Sequence, residues 1–115
     1  MNRLDLAIIE FNTQKFYECH ELLELLWQEA PQPERNFYQG LLQLAAGFYH
    51  LQQNNQNGAK ILIGEGIYRL KQYPSPYLDF HLEKLIIRAQ RILYALQRST
   101  KIPPFPKLVS IPPKG

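Results

Sequence analysis

Apolar residues return every third or fourth position through five successive stretches of this chain, and nowhere do they alternate convincingly as a half-buried strand requires. Only a helix places such positions on one face. The chain must therefore bury five apolar stripes against one another. The first stretch covers about residues 3–11, where Leu4, Ala7, Ile8 and Phe11 share a face and Asn2 is placed to cap the free N–H groups. The second runs over about 14–30 behind a Thr13 cap, with an inner stripe of Phe16, His20, Leu23, Trp27 and Ala30 widened by Leu22, Leu25 and Leu26. Pro31 and Pro33 end it, and Pro33 suits the first turn of the next helix, where its missing N–H costs nothing.

The third stretch, about 34–54, carries a broad arc of Phe37, Tyr38, Leu41, Leu44, Ala45, Phe48, Tyr49 and Leu51. Gly40 and Gly47 stand seven apart on nearly one line of it. Glycine inside a helix costs about 1 kcal/mol against alanine, so the pair predicts another helix passing very close. Asn57 is placed to cap the fourth helix, about 58–72, with Ala59, Leu62, Ile63, Gly66, Ile67 and Leu70 inward. Tyr73-Pro74-Ser75-Pro76 forces extended backbone. The fifth helix, about 79–99 from Asp79, buries Leu82, Leu85, Ile86, Ala89, Leu93 and Leu96. After Thr100, five prolines forbid helix, but Phe105, Leu108, Val109 and Ile111 give the tail apolar anchors, so a strap lying on the helices is predicted, frayed at Pro113-Lys114-Gly115. The reading is all-α: an antiparallel bundle of about five helices over residues 1–100, and an extended proline-rich tail over 101–115.

A chain of 115 residues is one domain, large enough for a core without staples. Its lone cysteine, Cys19, forbids an intrachain disulfide and reads as a buried structural thiol. Asp5 and Glu10 interrupt the start, so no signal-peptide stretch is seen, and no run reaches the ~18 apolar residues of a membrane span. A cytoplasmic, membrane-free protein is expected. The charge is lopsided. Residues 1–57 carry three Lys/Arg against seven acids, net −4, and residues 58–115 carry ten against three, net +7. Such halves attract within one fold, between two copies, or toward an acidic partner.

The most distinctive segment is Phe16-Tyr17-Glu18-Cys19-His20-Glu21-Leu22-Leu23-Glu24-Leu25-Leu26-Trp27. His20 and Glu24 stack on one helix face, with Trp27 a turn further. Arg35, Gln39, Gln43 and His50 fall within roughly a 90° arc of the third helix. If the two stripes face each other, His20, Glu24, Arg35, Gln39, Gln43 and His50 converge on a small polar pocket. Three arrangements accommodate these residues. One is a structural network in which Glu24 fixes the His20 tautomer and Arg35 neutralises Glu24. Another is a bound organic or anionic ligand. The third is a divalent metal on His20, Glu24 and His50, since His-Glu-x-x-Glu resembles the His-Glu-x-x-His zinc helix with Glu24 in the second histidine's place. A cofactor-free domain is the simplest of these.

No catalytic set stands out. Cys19 and His20 point ~100° apart as helix neighbours, and Gly64 and Gly66 lack the spacing of a phosphate loop. His81 is expected on the surface. The fifth helix carries Lys84, Arg88, Arg91 and Arg98 along one side, followed by Lys101. Without interleaved aromatics this argues against nucleic acid and for a solvated face or contact with an acidic protein. The apolar tail could pack on a second subunit, making a homo-oligomer.

Taken together, His20, Glu21, Glu24, Trp27, Arg35, Gln39, Gln43, His50, Asn55, Gly58 and Ala59 resemble the motif of the family catalogued as a domain of unknown function, number three-hundred-nine, over about residues 4–100. The resemblance implies an all-helical bundle and no agreed activity. Its motif positions largely coincide with the pocket residues. The leading expectation is a small binding domain whose polar pocket lies between the second and third helices. An interaction module built on the fifth helix and the tail is the alternative, and a metal-dependent enzyme using His20, Glu24 and His50 is a third.

Overall fold

A computed structural model describes residues 1–111. It contains five helices, α1 (Arg3–Asn12), α2 (Phe16–Glu29), α3 (Glu34–Gln52), α4 (Gln56–Leu70) and α5 (Leu82–Arg98), and no strand among the described residues. Successive helices pack on one another in chain order. Links of three or four residues join α1 to α4, too short to let neighbours run parallel. Cross-links confirm the antiparallel arrangement. Arg3 at the start of α1 pairs with Glu29 at the end of α2 at 2.6 Å. The Gln52 side chain, ending α3, donates to the Gln14 carbonyl just before α2 at 3.1 Å.

Asn2 caps α1 as its sequence predicts. Its Oδ1 accepts from Asp5 N at 2.8 Å, and Asp5 returns a carboxylate to Asn2 N. Two other caps fall elsewhere. The Thr13 hydroxyl turns back to donate to the Ile9 carbonyl at 2.8 Å, closing α1 instead of opening α2. Asn55, rather than Asn57, caps α4 by accepting from Gly58 N. α5 begins three residues later than expected, because Leu78 and Asp79 adopt left-handed backbone (φ 47° and 64°) in a turn closed by Phe80 N donating to the Tyr77 carbonyl. Ser75 Oγ then accepts from Glu83 N at 3.0 Å, relieving one open end of α5.

The glycine inference holds. A Cβ on Gly40 would lie 2.9 Å from Leu70, and one on Gly47 would lie 2.7 Å from Ile63, both on α4. Gly66 answers from α4, where a Cβ would stand 2.9 Å from the Gly40 carbonyl oxygen. Backbone thus lies nearly on backbone along this seam.

The strap crosses the far end of the bundle. Phe105 packs on Phe16 and Phe48 with ring centroids 4.9 and 5.2 Å apart, joining a cluster that includes Phe11. Leu108 is buried, and the Asn12 side chain holds its backbone by both ends, donating to its carbonyl at 3.0 Å and accepting from its N–H at 2.7 Å. Further along, His81 N donates to Val109 O and Ile111 N to Asp79 O. The frayed end expected at Pro113-Lys114-Gly115 lies outside the described residues. No helix among the described residues is long and apolar enough to cross a membrane.

Candidate functional site: the outer seam of α2 and α3

The side of α2 that enters the core is Phe16, Cys19 and Leu23. His20 and Trp27 stand on its flank, only half-buried, while Phe16 and Leu23 enter the core as expected, so the centre of the inner stripe is turned from the expected one toward Cys19 by roughly 40°, less than half a residue step. Cys19 takes the core position. Its thiol donates to the Ala7 carbonyl at 3.3 Å, and burial, with the Glu10 charge adding to it, pushes it up to about 12. A thiol held protonated in this way is structural and inert.

On the flank, His20 Nε2 and Glu24 Oε2 stand 4.0 Å apart with side chains 32% and 45% exposed. That separation is beyond hydrogen-bonding range, so both groups keep their bonding capacity. Arg35 does not neutralise Glu24 by contact. Its guanidinium lies over the Trp27 ring, 4.9 Å from the centroid. Stacking holds the guanidinium plane while leaving its N–H donors at the edge. Gln39 follows one turn along α3, half-buried. The Tyr17 ring sits between His20 (6.2 Å) and Tyr49 of α3 (5.3 Å).

The two remaining pocket candidates turn away. Gln43 faces α4, donating to Glu65 Oε2 at 2.8 Å and accepting from Arg69 Nε at 3.0 Å, while Arg69 also donates to Asn36 Oδ1 at 2.8 Å. Glu65, Gln43, Arg69 and Asn36 thereby form a polar chain along the α3–α4 seam. Sequence reasoning missed this chain, although Asn36 and Gln43, seven apart, and Glu65 and Arg69, four apart, carry the required spacing. His50 serves the turn after α3. Its Nδ1 lies 3.1 Å from Asn55 Nδ2, and Asn55 N donates to the His50 carbonyl at 2.8 Å. The amide of Asn55 is the donor in that first pair, so His50 Nδ1 accepts. A Cβ on Gly58 would come within 2.7 Å of the Asn55 amide, and Ala59 is buried just beyond. His50, Asn55, Gly58 and Ala59 are therefore one turn-locking unit.

The six-group pocket is not assembled. His20, Glu24, Trp27, Arg35 and Gln39 share the α2–α3 seam, while Gln43 and His50 are engaged elsewhere. Among the described residues no three His, Cys, Asp or Glu side chains come together as a metal would need. The set His20, Glu24 and His50 is thus split between the seam and the turn.

The basic side chains of α5 form a separate surface. Lys84, Arg88, Arg91 and Arg98 are exposed, and Arg98 lies 4.4 Å over the exposed Tyr94, so this face does carry one aromatic among its basic residues, contrary to the sequence expectation. Between α5 and the strap, Lys84, Arg88, Lys107, Phe105 and Val109 line a cleft of about 310 Å³. His81 is half-buried where α5 begins, rather than fully on the surface.

Residues 4–62 match a family profile, which covers α1 to α3 and the first part of α4 and does not run on to residue 100. All the motif positions from His20 to Ala59 fall inside the match. The chain is also similar to "Uncharacterized protein YpuF" of Bacillus subtilis (strain 168), with 40% identity over 62 residues. The matched stretch is 52% of this chain and 36% of that protein, so the chain spans little more than a third of the relative's length. The profile is that of the family described as Domain of unknown function (DUF309), and the chain belongs to it.

Proposed function

We propose that this chain is a small helical binding domain and that the α2–α3 seam is its receiving surface. One observation carries the reading: Trp27 and Arg35 fix each other in place across the seam, and beside them His20 and Glu24 stay half-exposed without a hydrogen bond to each other. Polar groups that are held but not used up are what a recognition surface needs, because ordering them is already accomplished before a ligand arrives. The edge of Arg35 suits a carboxylate or phosphate, which a guanidinium binds through two parallel N–H donors. His20 and Glu24 would take the ligand's own donor groups, with Gln39 at the margin. The family match supports this placement, since it contains the whole seam and leaves out α5 and the strap.

Trp27 is the single tryptophan and so reports on the seam directly. Its fluorescence would be followed while the protein is titrated with a panel of small carboxylates, phosphate esters, amino acids and zinc. A saturable change is expected, lost in His20→Ala and Arg35→Ala and kept in Lys84→Ala. A response indifferent to both seam substitutions, or silence across the panel, would count against this function. Zinc binding that needs His20 and Glu24 would favour the metal alternative.

A further inference from the structure

Beyond ligand binding at the seam, a second interaction follows from where the charges end up. Among the described residues Arg3–Glu29 is the ion pair between fully charged groups, and the closest other approach of a His to a carboxylate is His20–Glu24 at 4.0 Å; both lie inside the acidic first half of the chain. Among the described residues no acid of that half comes within 4 Å of a base of the second half. The two opposite charges have been folded onto one molecule without meeting.

Each is displayed on a helix face of matching design. On α2, Glu18, Glu21, Leu25 and Gln28 recur at i, i+3, i+7 and i+10, exposed and turned away from His20 and Trp27. Tyr17 borders them, and Glu10 of α1 is close enough that Glu18 and Glu21 help raise its pKa above the usual carboxylate value, after desolvation; Lys15 opposes this at the margin. On α5, Lys84, Ile87, Arg88, Arg91, Tyr94 and Arg98 line one exposed face. Both faces carry two exposed apolar side chains about two turns apart, Tyr17 and Leu25 on one, Ile87 and Tyr94 on the other, each at least 40% exposed. Beside the α5 face lies a groove of about 520 Å³ lined by Ile87, Arg91, Tyr94, Ala95, Lys101 and Pro103.

We infer that the chain associates with itself, the acidic face of α2 on one copy docking against the basic face of α5 on the next. Leu25 enters the α5 groove, Tyr17 stays packed beside His20 and Tyr49 and borders the contact with its exposed edge, and Glu18 and Glu21 meet Arg88, Arg91 and Lys101. The two faces are different surfaces of the molecule. The contact is therefore reciprocal in a closed dimer only if both pairs form together, and otherwise it propagates head to tail.

Sedimentation velocity on the full chain tests this. At low salt, species heavier than the 13.5 kDa monomer are expected to grow as concentration rises to hundreds of micromolar. They should dissolve in ~1 M salt, where the screening length falls to about 3 Å. Arg88→Glu/Arg91→Glu and Glu18→Lys/Glu21→Lys should each be monomeric alone, with unchanged helical circular dichroism because all four positions are exposed. Mixed together, the two variants should associate, since each then offers the charge the other lacks. A chain that stays monomeric at low salt overturns the inference. So does association that survives either double reversal, or two folded variants that fail to combine. If the monomer instead binds a short DNA duplex through Arg88 and Arg91, the inference also falls and the α5 face belongs to nucleic acid.

Discussion

Two glycines two residues apart on α4 are expected to respond to alanine with opposite signs. At Gly64 a new Cβ meets only Leu93 Cδ2, at 4.0 Å, an ordinary contact. Gly64→Ala therefore gains the usual benefit of restricting the unfolded chain and improving helix propensity, roughly 0.4–1 kcal/mol. At Gly66 the same methyl would stand 2.9 Å from the Gly40 carbonyl oxygen and 3.0 Å from Leu44 Cδ2. A carbonyl in the middle of α3 cannot rotate aside, so the helices must separate, and separation also loosens the contacts at Gly40 and Gly47. Overpacking of this kind costs about 1–3 kcal/mol, and a backbone obstacle argues for the upper end. After the propensity gain, Gly66→Ala should lose about 1–2 kcal/mol. The two variants should then differ by roughly 1.5–3 kcal/mol, or on the order of 10 °C in Tm for a chain of this size. Urea unfolding followed by far-UV circular dichroism measures both. If Gly66→Ala proves as stable as Gly64→Ala, α4 does not rest on the α3 backbone and the account of this seam is wrong.

Three further outcomes are expected. Cys19 should resist a thiol reagent at pH 8 until the protein unfolds. Its folded pKa lies above the unfolded value, so the unfolded chain loses the proton first and stability should fall from about pH 9 toward 12. Cys19→Ala should flatten that alkaline decline without abolishing it, because Tyr38, Tyr73 and Tyr77, desolvated by burial, are shifted in the same direction. Asn12→Ala strands both backbone groups of Leu108, which should cost about 1–3 kcal/mol and speed amide exchange at Leu108; unaltered exchange there would contradict the tether. Arg35→Ala should shift Trp27 emission while costing only about 0.5–1 kcal/mol, and an unmoved spectrum would show that the guanidinium does not sit on the ring.

How much of this was legible beforehand depended on whether a residue's behaviour is local. Helix number, most inward residues of α4 and the close α3–α4 approach follow from period and from the anomaly of Gly40 and Gly47, which nothing but a neighbour explains; on α5 the expected Ile86 and Leu93 are only half-buried, and Ile92 and Ala95 take the buried positions instead. Caps are harder to read: Asn57 has the same chemistry as Asn55, which caps α4 instead, and Thr13 bonds back to Ile9 while α2 opens at Lys15 with no side-chain cap. Period alone reads His20 as inward, because Cys19, small and apolar, competes for the same stripe one position earlier. Gln43 and His50 could not be assigned at all from an arc. The polar side of α3 is flanked by α2 on one edge and α4 on the other, and a sequence does not say which edge a side chain leans toward. The Glu65 and Arg69 partners of Gln43 lie more than twenty residues away.

The tether between Asn12 and Leu108 spans 96 residues. A ribosome delivers about 5–20 residues per second, so the first helix waits several seconds for the segment that covers the Phe11, Phe16 and Phe48 rings. Through that interval the helical hairpins can form from local contacts alone, but the rings at their open end have no lid. The Phe11, Phe16 and Phe48 rings therefore stay uncovered until Phe105 has been made and is free to fold back over them, so covering this end of the core is a late step in making the chain.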